Sequence, residues 1–290
     1  MPANPNQIRK RIGGVKNTQK ITSAMKMVAA ARLRRAEERA NSARPFVERL
    51  QHFLDGFTTD PENVPHELAR VRDVSRIGLL MMTSDRGLCG GFNSNLFKEG
   101  KKFLEEHGYD KTNVYIVGKK GRDHYKRNPA VNVVETFTDM DQSIEHREVK
   151  AITDRVASDF ISGEIDELYL LYAKFKSPAV CIPTVIKLLP ITAQEKSEEE
   201  QDRHISDIIF MPSPEAILNI LFPKYLYTRV MVSLAETFAS EQGQRMVAMT
   251  NATDNAKEMV RVLTLTFNKV RQAAITREIA EIVGGAEALG

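Results

Sequence analysis

The chain has 290 residues, of which 42% are hydrophobic and 27% charged, with a formal net charge of +3. This composition predicts a folded chain of one or two domains and excludes a disordered one. Two cysteines, Cys89 and Cys181, exclude a disulfide framework and have no metal-binding spacing, so we expect free thiols. No apolar run is long enough to span a bilayer, and the amino end lacks a signal-peptide or transit-peptide composition. We therefore expect a soluble, cytoplasmic chain.

The amino-terminal segment predicts a long helix with a narrow apolar stripe. Apolar or small residues recur there at alternating steps of three and four, which is typical of a coiled coil. We call these positions the amino-terminal seam: Ile8, Ile12, Val15, Gln19, Thr22, Lys26, Ala29, Leu33, Ala36, Ala40, Ala43, Val47, Leu50 and Leu54. We assign the helix to residues 1–58 and expect Pro45 to kink it, because proline removes an intrahelical donor.

The same helix is strongly basic. Nine lysines and arginines precede the first acidic residue, Glu37. Such a charge can neutralise nucleic-acid phosphates, so a coiled-coil nucleic-acid binder is one alternative. Against it, the basic residues alternate with Ile21, Met27, Val28 and neighbouring alanines, and a helix that is apolar on nearly every side is buried against protein.

The middle of the chain alternates between strands and helices. Short apolar runs predict strands at 76–83, 113–118, 167–174 and 181–189, with a turn at Ser177 and Pro178 before the last one. Helical stretches are predicted at 93–107, 119–127 and 145–162. This alternation is typical of a mainly parallel sheet, so we expect a Rossmann-like α/β module at 74–192. A charged loop is predicted at 193–212.

The best candidate for a ligand site is the glycine-rich turn from Thr83 to Asn93, between a predicted strand and a predicted helix. It lacks the lysine of the G-x-x-x-x-G-K-[ST] motif and does not match G-x-G-x-x-G. A tight structural turn is therefore the preferred interpretation, and a small nucleotide-binding enzyme remains an alternative. Cys89 has no histidine near it in sequence, and Gly118–Asp123 is interpreted as a solvated loop. We predict no catalytic residue, metal ligand or cofactor site.

The carboxyl-terminal segment predicts a second coiled-coil helix at 213–287, with Ser213 as its N-cap and Pro214 in its first turn. Pro223 is expected to bend it, and Gly243 costs about 1 kcal/mol relative to alanine. Its seam positions are Leu218, Leu221, Tyr225, Thr228, Val232, Ala235, Ala239, Gln242, Met246, Met249, Thr253, Ala256, Val260, Leu263, Phe267, Val270 and Ala274. The two terminal helices are predicted to pair antiparallel.

A further apolar face continues beyond this seam to the carboxyl end. It consists of Ile275, Ile279, Ile282 and Val283. If the carboxyl-terminal helix is longer than its partner, this face has no cover within the chain. Exposed apolar patches mark contacts with other chains, so a partner protein is expected here.

Four stretches of the sequence resemble the gamma subunit of the F-type ATP synthase. They are Asn17–Ala31, Ser84–Asn93, Met246–Ala256 and Phe267–Ile279. The resemblance extends over essentially the whole chain, and the absence of a cysteine-bearing insertion between the strands favours the bacterial type.

The resemblance implies a fold and a function. The terminal helices would form the central stalk inside a ring of three alpha and three beta subunits, with the α/β module near the membrane ring. The chain would be a non-catalytic rotor that couples transmembrane proton flow to ATP synthesis or hydrolysis at beta-subunit sites. Its implied partners are the alpha and beta subunits, the epsilon subunit and the membrane c-ring, with no nucleic acid. It would lie at the cytoplasmic face of the bacterial plasma membrane as a peripheral protein.

The resemblance also implies which residues contact the ring of partner subunits. Met25 and Lys26 correspond to the positions that meet an acidic lever of a beta subunit. Arg271, Gln272 and Thr276 correspond to a polar catch that hydrogen-bonds a beta-subunit loop. An apolar bearing surface would consist of Ile275, Ile279, Ile282 and Val283.

Overall fold

The computed structural model describes residues 5–55, 66–140, 144–192 and 213–287. In chain order, the elements are α1 (Pro5–Asp55), a 3-10 turn (Glu67–Ala69), β1 (Ile77–Met82), α2 (Phe92–His107), β2 (Thr112–Val117), α3 (Lys119–Tyr125), β3 (Asn132–Phe137), α4 (His146–Ile161), β4 (Glu167–Ser177), β5 (Val180–Leu189) and α5 (Pro214–Glu287). They fall into two compact units, described separately below. The end unit comprises the described parts of residues 1–29 and 246–290, and the sheet unit comprises those of residues 30–245.

The sheet unit is built on a five-stranded sheet with the order β3-β2-β1-β4-β5. The first four strands are parallel, and β5 runs antiparallel to β4. Every residue of β1 is buried, as expected for a parallel strand that is covered on both faces. The order 3-2-1-4-5 is that of a doubly wound fold, which confirms the prediction of a Rossmann-like, mainly parallel module.

Helices cover the sheet because their apolar residues recur at helical spacing. In α2 the buried residues include Leu96, Phe103 and Leu104, and all three belong to a core cluster with Leu79 and Met81 of β1. In α4 the buried residues include Val149, Ile152, Val156 and Phe160. These spacings of three and four place the apolar side chains of each helix on one face.

The predicted elements agree with the observed ones except at the sheet edge. All four predicted strands and all three predicted helices are present, with ends shifted by a few residues. The strand β3 was missed because it is an edge strand whose residues are only partly buried, so its apolar pattern is weak. The predicted segments 1–58, 74–192 and 213–287 contain α1, the sheet elements and α5. The predicted loop 193–212 lies outside the described residues.

Within the sheet unit, α1 and α5 pair antiparallel. Arg44 on α1 forms an ion pair with Glu236 on α5 at 2.6 Å, and the hydroxyl of Tyr225 donates to the side-chain oxygen of Gln51. Residues later in α1 therefore contact residues earlier in α5, which is the antiparallel arrangement. Every described seam position in this unit is buried or half-buried on both helices, as the heptad pattern predicts. Ser213 caps α5 as predicted, because its Oγ accepts a hydrogen bond from the amide of Ala216 at 3.3 Å.

Within the end unit, the two helices follow the same pattern. The hydroxyl of Thr253 donates to Oγ1 of Thr22 at 2.8 Å, so the polar seam positions satisfy each other. Beyond Ala252 the only described residues that are not exposed are seam positions: Thr253, Ala256, Val260, Leu263, Phe267, Val270 and Ala274. The predicted amino-terminal seam is wrong at one position, because Lys26 is exposed. A buried ammonium without a partner would be costly, and the long side chain reaches solvent instead.

Candidate partner-contact surface and the glycine-rich turn

The glycine-rich turn after β1 is held together by its own polar groups. The hydroxyl of Thr83 donates to the carbonyl of Val117 at 2.7 Å and accepts from the amide of Gly121 at 3.0 Å. The side-chain amide of Asn93 donates to Oγ of Ser84 at 2.7 Å, and the Ser84 amide donates to Oδ1 of Asn93 at 3.2 Å. These donors and acceptors are therefore bonded within the turn or to the adjoining β2 and α3, as the structural interpretation predicts.

The neighbouring basic segment Gly118–Asp123 binds a carboxylate from another part of the same chain. The predicted solvated loop at Gly118–Asp123 is instead the start of α3. The carboxylate of Asp85 accepts the amide of Lys119 at 2.9 Å, and the Lys119 side chain forms an ion pair with Asp139. Asp85 thus lies where a phosphate would meet the first amides of a helix.

Helix α5 fills the crevice in which doubly wound folds bind ligands. That crevice lies at the carboxyl ends of the strands where the strand order reverses, here between β1 and β4. The amide of Ala173, at this end of β4, donates to Oγ1 of Thr237 at 3.3 Å, and the hydroxyl of Ser240 donates to the Ala173 carbonyl at 3.0 Å. The Thr237 hydroxyl also contacts the sulfur of Met82 at the end of β1. A nucleotide would compete with these contacts for the same space.

Cys89 is a poor nucleophile. Its side chain is 2% exposed, and burial raises the pKa of its thiol. Thiolate is the reactive form, so a raised pKa lowers the reactivity at neutral pH. This environment agrees with the interpretation of Cys89 as a structural thiol. Among the described residues, no group of three or more His, Cys, Asp and Glu side chains has the geometry of a metal site.

The end of α5 presents a continuous exposed face. All residues from 275 to 284 are exposed, and the four predicted bearing residues are large and apolar. Their exposed fractions are 46% for Ile275, 56% for Ile279, 72% for Ile282 and 53% for Val283. Since α1 begins at Pro5 in the described chain, this part of α5 has no described seam partner. The apolar face is therefore open to another protein.

The polar residues predicted to contact a partner lie on the same face. At about 100° per residue, Arg271, Gln272 and Thr276 fall with the four apolar residues inside an arc of roughly 140°, centred well away from the seam. All three are exposed, and the Thr276 hydroxyl donates to the Gln272 carbonyl at 3.0 Å. The structure thus brings seven of the nine predicted residues onto one face.

The remaining two residues form a separate patch on α1. Met25 is half-buried and Lys26 exposed, and Ile21 and Val28 lie on the same side of the helix as Met25, with exposed fractions of 59% and 51%. Because Thr22 contacts Thr253, this patch lies about 30 Å along the helix from Arg271. The two patches can therefore contact different parts of a large partner.

Sequence reasoning missed three exposed apolar residues between the two patches. Met259, Val262 and Leu265 have exposed fractions of 51%, 48% and 52%. They lie outside the seam on α5, and that offset is the signal that could have identified them.

None of the described helices carries an apolar stretch long enough to cross a membrane.

Comparison with known proteins identifies the family. A family model described as ATP synthase matches residues 4–289. The chain is 46% identical to the ATP synthase gamma chain of Desulfitobacterium hafniense and 43% identical to that of Moorella thermoacetica, with 99% of each chain covered in both alignments. The chain belongs to the ATP synthase gamma chain family. This membership confirms the resemblance seen in the sequence.

Solved structures agree with the gamma-family fold. A chain of the Euglena gracilis mitochondrial ATP synthase, from a structure of its OSCP/F1/c-ring, matches with a TM-score of 0.69 and 19% identity over 98% of this chain and 94% of that one. A chain of the central stalk/c-ring structure of the Tetrahymena thermophila mitochondrial ATP synthase matches with a TM-score of 0.60 and 24% identity, over 80% of this chain and 99% of that one.

Proposed function

We propose that this chain is the central-stalk rotor subunit of an F-type ATP synthase. It rotates inside a ring of alpha and beta subunits and couples transmembrane proton flow to ATP synthesis or hydrolysis at the beta-subunit sites. The observation that carries the proposal is the exposed apolar face of Ile275, Ile279, Ile282 and Val283, on a helix that beyond Ala252 is buried or half-buried only at described seam positions.

The surface chemistry suits a shaft that turns against its partners. Burial of branched aliphatic side chains against a partner is favourable in free energy, yet these side chains form no directional bonds that would fix the shaft at one rotation angle. Arg271 and Gln272 are exposed donors on the same face, and they supply a directional contact that forms at one angle only. A shaft that contacts three beta subunits unequally shifts their conformational equilibria, because differential contact is what shifts such an equilibrium.

The chain itself carries out no catalysis in this proposal. The polar groups described in the glycine-rich turn bond to other groups of the same chain, and α5 occupies the crevice at the strand ends. Nucleotide chemistry therefore belongs to the partner subunits. The exposed lysines and arginines of α1, including Lys26, face acidic protein surfaces rather than nucleic acid.

The proposed partners are the alpha and beta subunits, the epsilon subunit and the membrane c-ring. The chain would associate peripherally with the cytoplasmic face of the bacterial plasma membrane through these partners. The exposed face of α5 and the Met25 patch are assigned to the alpha/beta ring.

Purification from native membranes tests the proposal. The tagged chain should bring down the larger ring subunits, identified by mass spectrometry, and the complex should hydrolyse ATP while the purified chain alone does not. Recovery of the chain without the ring, or ATP turnover by the chain alone, would contradict the rotor function. Steeply salt-dependent affinity of the chain for duplex DNA would favour the nucleic-acid alternative.

A further inference from the structure

One segment of α5 is buried on every side, which is unusual for a helix at the edge of a sheet. All residues from Val232 to Gly243 are buried, about three full turns. Six of them are polar: Ser233, Glu236, Thr237, Ser240, Glu241 and Gln242. A helix that packs on one face leaves its polar residues exposed, so this burial must come from contacts all around. We call Val232–Arg245 the collar segment.

The first two sides of the collar segment contact α1 and the strands. Toward α1, Glu236 pairs with Arg44 at 2.6 Å, and the seam position Ala239 is fully buried. Toward the strands, Thr237 and Ser240 bind the amide and carbonyl of Ala173. These last two bonds join the helix to backbone atoms of β4, which cannot move independently of the sheet.

A third side contacts the turn between β4 and β5. A Cβ atom at Gly243 would lie 2.9 Å from both the Cα and the carbonyl oxygen of Pro178, so only glycine permits this approach. One residue later, the side-chain amide of Gln244 donates to the carbonyl of Ala179 at 2.7 Å. Gly243 therefore serves close packing, and its helix-propensity cost is offset by contact with the hairpin.

The fourth side contacts the glycine-rich turn. A guanidinium nitrogen of Arg245 donates to the carbonyl of Gly87 at 3.1 Å and to the carboxylate of Glu241 at 2.7 Å. Both side chains are less than a tenth exposed. Together, the residues that contact α1, β4, the hairpin and the turn span about 240° around the helix axis within 14 residues, and the positions on the remaining arc are buried as well from Val232 to Gly243.

We infer that the collar segment is where torque passes between α5 and the sheet unit, an inference that rests on the proposed rotor function. A helix held along one stripe can roll about its own axis by exchanging neighbouring side chains. A helix held by four such contacts over most of its circumference can turn only if backbone-directed hydrogen bonds break and the Pro178 contact is lost. Gly243, Gln244 and Ser240 are positioning residues for rotation, because they fix the angle of α5 against the sheet.

A matched pair of glycine substitutions separates this role from plain stability. Gly243→Ala pushes the helix away from Pro178. Gly100→Ala is the control, because its added methyl meets Tyr125, Met81 and Leu171 at 2.8–3.3 Å in the sheet core, away from the collar segment. A second variant, Ser240→Ala combined with Gln244→Ala, removes two collar hydrogen bonds without any clash. It decides the outcome if Gly243→Ala does not assemble.

The measurement is the angular fluctuation of a bead on the sheet unit in the assembled, surface-fixed ring complex during pauses in ATP-driven rotation. The bead is attached at Lys102→Cys on the exposed side of α2, in a Cys181→Ser background. We expect the angular variance to rise at least twofold in the collar variants and to stay unchanged in Gly100→Ala.

Two results would overturn the inference: unchanged variance in the collar variants, or an equal rise in Gly100→Ala. Absence of rotation in the unsubstituted complex would instead contradict the proposed rotor function. Rotation with equal variance in every variant would contradict the collar alone.

Discussion

Two stretches of the same helix reverse the usual relation between polarity and burial. The collar segment contains Glu236, Glu241 and Gln242 and is buried from Val232 to Gly243, whereas residues 275–284 contain three isoleucines and are exposed throughout. Ser240, Glu236 and Glu241 are buried in the first stretch because a backbone carbonyl or a charged partner lies within hydrogen-bond distance. Gln242 is also buried there, and its side-chain amide has no hydrogen-bond partner among the described residues. Apolar groups are exposed in the second because no described residue of the chain covers them. Burial in α5 therefore follows the contacts around the helix rather than the hydrophobicity of the sequence.

The largest effect on stability is expected for Ala239→Asp in the collar segment. Ala239 is fully buried on the seam, so a carboxylate there would lose its hydration without a compensating hydrogen bond or ion pair. We expect a loss of about 4 kcal/mol or more in the free energy of unfolding, measured by urea titration. Ala239→Ser is the control of similar size without a charge. A loss below about 1 kcal/mol for Ala239→Asp would contradict the burial of this face.

The next test removes the cation of the buried ion pair. Arg245→Met removes the only cation described in an ion pair with the buried Glu241 and leaves the more distant Arg32, and we expect a loss of roughly 3 kcal/mol near neutral pH. The matched control is Arg271→Met on the same helix, where the side chain is exposed and the expected change is within about 0.5 kcal/mol. Equal losses for both variants would show that the ion pair contributes nothing specific.

This second test has a pH dependence with a defined sign. Burial raises the pKa of the Glu241 carboxyl even with Arg245 present, and removal of Arg245 raises it further. Because the folded-state pKa then lies above the unfolded value, the penalty is complete at high pH and disappears as pH falls through the folded-state pKa. The stability difference between Arg245→Met and the unsubstituted chain should therefore be larger at about pH 8 than at about pH 5. The opposite trend would contradict a buried carboxylate.

Much of the fold follows from periodicity, but the collar segment does not. The steps of three and four placed every α5 seam position from Leu218 to Ala274 on a buried or half-buried face. Alternating strands and helices predicted the parallel sheet. Periodicity gave no sign that Thr237 and Ser240 would be buried as well, because their burial depends on contacts with β4, more than sixty residues away in sequence. Hydrogen bonds between segments that are distant in sequence do not produce a periodic pattern of residues.

The candidate contact surface was predictable only in part. The apolar residues Ile275, Ile279 and Ile282 stood out because they continue an apolar pattern past the last seam position. Arg271 and Gln272 were chosen through family resemblance, since an exposed arginine followed by a glutamine is common on helices. Their position on the same face as Ile279 is what the structure adds.

A smaller effect on stability is expected at the seam of the end unit. Leu263 is a seam position that is only half-buried, and Leu263→Asp places a charge between the two helices. We expect a loss of about 2 kcal/mol, smaller than at Ala239 because solvent reaches part of the side chain. Val262→Asp, one position away on the exposed side, is the control and should be nearly neutral. Unchanged thermal stability of Leu263→Asp would remove this seam assignment.

The smallest effect on stability, with the largest effect on assembly, is expected for Ile279→Asp. The side chain is 56% exposed in the chain alone, so its replacement should change the free energy of unfolding by less than about 0.5 kcal/mol. In the proposed complex the same side chain is covered by the ring, where a carboxylate would be buried without a partner. Association with the alpha and beta subunits, measured by co-purification and by ATP hydrolysis of the complex, should therefore fall. Arg277→Gln, on the same turn but on the opposite side of the helix from the apolar face, should leave both quantities unchanged. Normal assembly of Ile279→Asp would mean that this exposed face is not where the partner binds, and the contrast with the collar segment would then need another explanation.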